Sequence, residues 1–240
     1  MRMGFQARIL TVLPDMFPGV LGQSVPGRAL NQGLWEMQVV DIRDFSRDKH
    51  RSVDDTPAGG GPGMVLRPDV VADALDSLGP ARRRVYVGPR GRRFDQAMAR
   101  QWAQEDGVDF LCGRFEGVDE RVLEARGFEE ISLGDFVLFG GEVAAQAMLE
   151  AVVRLLPGVL GAAGSLEEES FADGLLEHPQ YTRPAIWEGR EIPDILSSGH
   201  HGRIADWRKE RSLRLTKERR PDLWKSYVAR QAAGSEGEEK

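Results

Sequence analysis

A single cysteine, Cys112, in a chain of 240 residues excludes an internal disulfide framework and a cysteine-based zinc site. It fits a reducing compartment. The four histidines include the pair His200–His201 but no HExxH or comparable ligand spacing, so no metal site is expected. No uncharged apolar run approaches the roughly 18 residues of a membrane helix. The first apolar stretch ends at Pro14 and Asp15, which does not read as a signal peptide. The protein is therefore expected to be soluble and cytoplasmic. Two nucleotide fingerprints are also missing, GxGxxG after a first strand and GxxxxGK[ST], so a nucleotide-like ligand would have to bind through other loops. A basic excess is lacking as well: 32 Lys+Arg stand against 38 Asp+Glu, a net charge of −6. That total argues against a general basic coat for nucleic acid.

What is present describes an ordinary globular protein, 41% hydrophobic and 29% charged. Its length suits one domain of moderate size with a smaller appendage. The charge is unevenly spread. Residues 1–200 carry a net −10, residues 201–230 a net +6, and the last ten residues a net −2. An acidic body with a basic module at residues 201–230 limits the inference drawn from the total.

Hydrophobic patterning predicts strands at 6–13, 36–42, 83–88, 108–112, 128–133 and 135–139, with helices at 25–32, 69–77, 94–105, 119–126 and 143–155 between them. Alternating strands and helices, several strands continuously apolar, imply an α/β domain with a parallel sheet covered on both faces. Residues 1–160 read as this domain, 161–175 as a linker, 176–230 as a helical basic domain and 231–240 as a disordered acidic tail. Within the basic domain a helix is expected over about 199–217, with Ile204, Trp207, Leu213 and Leu215 on its buried side. Pro221 can open another.

Three glycine-bearing loops lie at strand ends: GPRG at 88–91, CGRFEG at 112–117 and the pair LGDF–FGGE at 133–142. They serve either as turn glycines or as close approaches for a ligand. A fourth loop, DDTPAGGGPGM at 54–64, is part of a 43–67 stretch with little periodicity, which suits a phosphate cradle, a lid or a linker. Arg82, Arg83, Arg84, Arg90, Arg92 and Arg93 flank a strand as a solvated rim or as phosphate contacts. Arg154 ends an otherwise apolar helix and needs an acidic partner or a phosphate. Glu167, Glu168 and Glu169 precede Ser170–Phe171, either as a solvated acidic linker or as the source of one general base.

Six stretches in order, DDTPAGGGPGM (54–64), LCGRFEGVDERV (111–122), EEISLGDFVLFGGE (129–142), RLLPGVLG (154–161), ESFADGLLEHPQYTRP (169–184) and LSSGHHGRIADWR (196–208), resemble the bacterial tRNA (guanine-37) N(1)-methyltransferases of the SPOUT superfamily. The resemblance covers almost the whole chain. It implies a deep trefoil knot in the α/β domain, a helical C-terminal domain, and a homodimer with shared active sites. It also implies S-adenosylmethionine as cofactor, tRNA with guanine at position 37 as substrate, and a dependence on magnesium.

Carried onto this chain, the implied cofactor residues are Tyr86, Val87, Gly88 and Pro89; Gly113, Phe115, Glu116 and Gly117; Ser132, Leu133, Gly134, Asp135, Phe136, Val137 and Leu138; and Gly140 and Gly141. The implied catalytic residues are Glu169 as base, with Glu168 as the neighbouring candidate, and Arg154 at the target base. Gly59, Gly60, Gly61, Ser170, Arg183, His200 and Arg208 are implied to face the RNA. Against the family pattern, Glu169 stands for an aspartate, Phe115 for a tyrosine, GPRG for SPQG, Gln180 for a histidine and Ala58 for a tyrosine. Two other functions fit the same residues: a non-catalytic tRNA- or ribosome-binding protein, and a knotted methyltransferase for another RNA position.

Overall fold

The computed structural model describes residues 4–161 and 169–235. Glu167 and Glu168 lie outside the described residues, as does the end of the chain from residue 236. The chain divides into two compact units, Met1–Gly161 and Ala162–Lys240.

The main sheet of the first unit has five strands, β1 (Phe5–Thr11), β2 (Trp35–Asp41), β5 (Arg83–Arg93), β6 (Gly107–Cys112) and β7 (Glu129–Ser132). They form one sheet in the order β2-β1-β6-β5-β7, every pairing parallel. Short strands β3 (Asp54–Asp55) and β4 (Val65–Leu66) pair antiparallel inside the long 43–67 stretch. Among the described residues five α-helices, α1 (Ser24–Asn31), α2 (Pro68–Asp76), α3 (Gln96–Trp102), α4 (Glu120–Arg126) and α5 (Glu142–Val153), and three short 3-10 turns complete the unit.

The strands are apolar on both faces because each face has its own core. Ala7 and Ile9 of β1, Val85 and Val87 of β5, and Val108, Phe110 and Cys112 of β6 pack with α1, α3 and α5. Their neighbours Leu10, Tyr86 and Leu111 point the other way, into a second core with α2 and α4. This is the period-two alternation of a strand buried on both sides. Local chemistry sets the helix ends. Asp95 accepts from the Met98 N–H at the start of α3, Asp119 accepts from the Arg121 N–H at the start of α4, and Gly127 ends α4 at φ 64°.

The second unit is helical: α6 (Asp194–Ser197), α7 (His201–Arg219) and α8 (Pro221–Ser235), preceded by a hairpin of β8 (Ile186–Trp187) and β9 (Arg190–Glu191). No helix among the described residues is long and apolar enough to cross a membrane.

The structure corrects the sequence reading in four places. Residues 135–139 form no strand. Ser132 Oγ accepts from the Gly134 N–H, the Phe136 N–H donates to the Gly134 carbonyl, and the chain turns away from the sheet. β5 runs on to Arg93 because pairing with β7 resumes after a bulge: Val87 and Arg92 both face Ile131. Residues 231–235, expected to begin a disordered tail, continue α8, in keeping with the helix-forming Gln231, Ala232 and Ala233. In α7, Ile204, Trp207, Leu213 and Leu215 are only half-buried, and Thr216 is the fully buried residue.

Candidate active site

The bulge Gly88–Gly91, the turn after β6 and the turn after β7 emerge from neighbouring strands and line one cleft, a cavity of about 240 Å³. Every residue implied to hold the cofactor lines it except Asp135. Arg114 and Phe139, inside the implied runs 113–117 and 132–141, also line it, as does Ala144, which the sequence reading missed.

Glycine is required where the walls meet. A Cβ on Gly113 would lie 2.8 Å from Tyr86 Cε2, and one on Gly141 would lie 2.9 Å from Cys112 Cα. Phe115 adopts φ 58°, a conformation uncommon for a side chain of that size and seen where a site demands it. The walls are stitched by the backbone: the Gly141 N–H donates to the Gly113 carbonyl at 3.0 Å. Burial and the Glu130 carboxylate push the Tyr86 phenol above its ordinary range, so it stays a neutral hydroxyl.

The loop at 54–64 reaches this cleft through its end. The Glu116 N–H donates to the Met64 carbonyl and the Leu66 N–H to the Gly117 carbonyl, both at 2.9 Å. Gly63, at φ 85°, has no room for a Cβ against the Glu116 side chain. Gly59, Gly60 and Gly61 all hold positive φ, are exposed and do not line the cleft.

Of the six arginines around β5, five are engaged by the chain's own groups, while Arg93 is exposed. Arg83 pairs with Glu105 at 2.7 Å and Glu129 at 2.6 Å. Arg90 pairs with Glu120 and Glu130, and Arg92 with Glu129. Arg82 and Arg84 donate to backbone carbonyls. Arg154 is half-buried as the C-cap of α5, where its N–H donates to the Glu150 carbonyl.

In the second unit Glu169 is half-buried and lines a pocket of about 200 Å³ together with Asp173, His178, Arg208 and Lys209. Beside it, Ser170 Oγ accepts from the Glu177 N–H at 3.0 Å, and Phe171 adopts φ 71°. Arg183 and His200 are exposed and do not line this pocket; His200 is the N-cap residue of α7. Among the described residues no group of three or more His, Cys, Asp or Glu could hold a metal ion.

Comparison with known proteins gives this geometry a family. The model of the tRNA (Guanine-1)-methyltransferase TrmD family matches residues 5–226. A Ruegeria sp. (strain TM1040) protein named tRNA (guanine-N(1)-)-methyltransferase is 61% identical over 232 residues, covering 95% of each chain. Proteins of the same name from Cereibacter sphaeroides (strain ATCC 17023) and Bartonella tribocorum are each 60% identical, covering 94% of this chain and 93% and 97% of theirs. With a family model spanning nearly its whole length and relatives of such identity, the chain belongs to the tRNA (guanine-1)-methyltransferase family.

Proposed function

We propose that this protein methylates N(1) of guanine at position 37 of tRNA, next to the anticodon, with S-adenosylmethionine as methyl donor. The observation that carries the reading is the convergence of three glycine-bearing loops from β5, β6 and β7 into one cleft, in a chain of this family. The lining suits a nucleoside carrying an amino acid. Backbone groups of glycine-bearing loops can meet a base edge, while Leu133, Leu138 and Ala144 offer apolar surface to its faces. When bound, S-adenosylmethionine supplies an already activated methyl group. The chain's own work is alignment and proton removal.

Guanine N(1) carries a hydrogen at neutral pH, and its lone pair is free to attack only as that proton leaves. Glu169 is the proposed base. A carboxylate within hydrogen-bond reach is worth roughly 10²–10⁴ in rate. Arg154 stabilises the negative charge that grows on guanine O6 as N(1) is deprotonated. Ser170, Arg183, His200 and Arg208 belong to the proposed RNA contacts of the second unit, with Gly59, Gly60 and Gly61 on the loop of the first. No step is assigned to magnesium.

The protein acts as a homodimer in this reading, with Glu169 of one copy serving the cleft of the other. An exposed apolar lip supports it: Val137 is 84% and Phe139 97% exposed, with Phe136 and Val143 each more than half exposed. Apolar side chains clustered on the surface beside a site mark a contact to be covered. A deep trefoil knot in the first unit and a cytoplasmic location belong to the same proposal.

The test is methyl transfer from labelled S-adenosylmethionine to an unmodified tRNA transcript carrying guanine at positions 36 and 37, with the modified base mapped. Label at N(1) of guanine 37 is the expected result. No incorporation by folded, dimeric protein overturns the reading in favour of a tRNA-binding protein without catalysis. Label at another base points to a different RNA position.

A further inference from the structure

Glu142 is the first residue of α5 and has no exposed surface. It does not line the cleft, and the proposed chemistry makes no use of it. Its carboxylate accepts from Thr11 Oγ at 2.7 Å and from Arg114 Nε at 2.9 Å and 3.1 Å. Arg114 does line the cleft. Its remaining nitrogens reach the Phe139 carbonyl at 3.4 Å and Met16 Sδ at 3.3 Å, and its backbone forms a bridge with Gly140. Gly140 leaves the space the pair occupies: a Cβ there would strike Arg114 Nε and lie 2.6 Å from Glu142 Oε2. Three separate segments therefore meet at one buried carboxylate, namely the end of β1, the loop after β6 and the loop before α5.

We propose that Glu142 is a positioning residue for the cofactor cleft, holding Arg114 so that the 113–117 wall stays fixed against the 139–141 wall. A buried carboxylate is tolerated only when paired and hydrogen-bonded, and removing one member of such a pair leaves the other unsatisfied. Arg114 thus has one strongly favoured arrangement, and both walls follow it. The inference rests on reading the cleft as the S-adenosylmethionine site.

The Glu142→Gln variant keeps the length of the side chain and an acceptor for Thr11 but removes the charge facing Arg114. Its S-adenosylmethionine binding, measured by calorimetry, is expected to weaken at least about tenfold, with kcat at saturating cofactor within about threefold of wild type. In the ligand-free protein, amide hydrogen exchange is expected to quicken at residues 113–117 and 139–141 and to stay unchanged in β1 and α3. In an Arg114→Gln background the same change should cost nothing more. Binding within twofold of wild type, or exchange that rises evenly across the first unit, overturns the inference. If Glu142→Gln does not fold, Thr11→Val takes its place. It removes one bond to the carboxylate from outside the cleft, and unchanged cofactor binding in that variant overturns the inference equally. A wild-type protein that fails to bind S-adenosylmethionine defeats the reading of the cleft, while the exchange pattern still decides what Glu142 holds.

Discussion

The two units are built on different principles. In the first, buried apolar side chains fill two cores, one on each face of the sheet. In the second, Leu175 is the only hydrophobic side chain among the described residues that is fully buried, with His178 and Thr216 as buried polar companions. Its helices instead set cations against aromatic rings: Arg211 over Trp207 at 5.4 Å, Lys209 over Tyr227 at 5.6 Å, Lys217 over Trp224 at 5.9 Å and Arg220 over Phe171 at 6.0 Å. Such contacts contribute about 0.5–1 kcal/mol each at exposed sites. A close-packed core can hold loops in unusual conformations, as at Phe115, and so can shape a cleft. A unit held by cations spread over aromatic surface keeps its positive charge available to a polyanion. The lesson is a difference in construction: close-packed cores in the first unit, cations over aromatic rings in the second.

The first unit's stability leans most on its one fully buried ion pair among those described. Arg8 Nε and Nη2 each meet an Asp109 oxygen at 2.6 Å, and both side chains are almost completely enclosed between β1 and β6. Asp109→Ala leaves Arg8 buried without its carboxylate, although Arg8 still donates to the Pro80 carbonyl at 2.9 Å. We expect a loss of about 3–5 kcal/mol in denaturant unfolding. A loss below about 1 kcal/mol would show that the core of the first unit does not depend on this pair.

Next in size is Glu169→Gln in the second unit. Turnover should fall at least about tenfold, because the amide cannot accept the guanine proton. Cofactor affinity should stay within about twofold, because the residues lining the cleft all belong to the first unit and the lost charge acts on the guanine proton. If Glu168→Gln has the larger effect on turnover, the base has been assigned one residue too late.

Trp207 probes how the second unit holds together without a core. Its ring lies 6.2 Å from that of Tyr181 and under Arg211. Trp207→Ala should cost about 1 kcal/mol, read as faster hydrogen exchange along α7, with exchange in the first unit's sheet unchanged. A comparable rise in both units would mean that they share one cooperative core after all.

Much of the first unit was legible in the sequence, and the reasons are physical. β1 and β6 are buried on both faces, so apolar residues stand on both sides of each run, interrupted by the paired Arg8 and Asp109; Gly127 ends α4 because the chain there needs a left-handed residue. The glycine loops were visible because close packing at Tyr86 and Cys112 tolerates no Cβ. Residues 135–139 misled because FVLF is apolar for a different purpose. Those side chains form an exposed lip and no sheet ladder. The arginine cluster looked like a charged surface because its partners Glu105, Glu120, Glu129 and Glu130 are distant in sequence. The adjacent Glu129–Glu130 at the start of β7 was the available signal. Glu142 was invisible for a similar reason: an acid at a helix start reads as an ordinary dipole partner, and only the fold brings Thr11 and Arg114 to it.

A surface ion pair of the second unit should respond weakly to acid. Asp222 sits in the first turn of α8, and hydrogen bonds from Arg220 at 2.9 Å and 2.6 Å hold its carboxyl down to about 2. A carboxylate with a depressed folded-state pKa adds stability above its unfolded value of about 3.9 and loses it as pH falls through the folded value. The start of α8 should therefore loosen between about pH 4 and pH 2; arginine hydrogen bonds also hold Asp69, Asp76 and Asp119 of the first unit low, so the readout is confined to α8. Because the Asp222 carboxylate is exposed and Arg220 only half-buried, the change should be small and weakened further by salt. Amide exchange in the first turn of α8, followed across that range, reads it directly. Asp222→Asn should abolish the local pH dependence. If the variant retains it, the pair between Arg220 and Asp222 does not hold the helix start, and the stability of α8 comes from the aromatic contacts of Trp224 and Tyr227 instead.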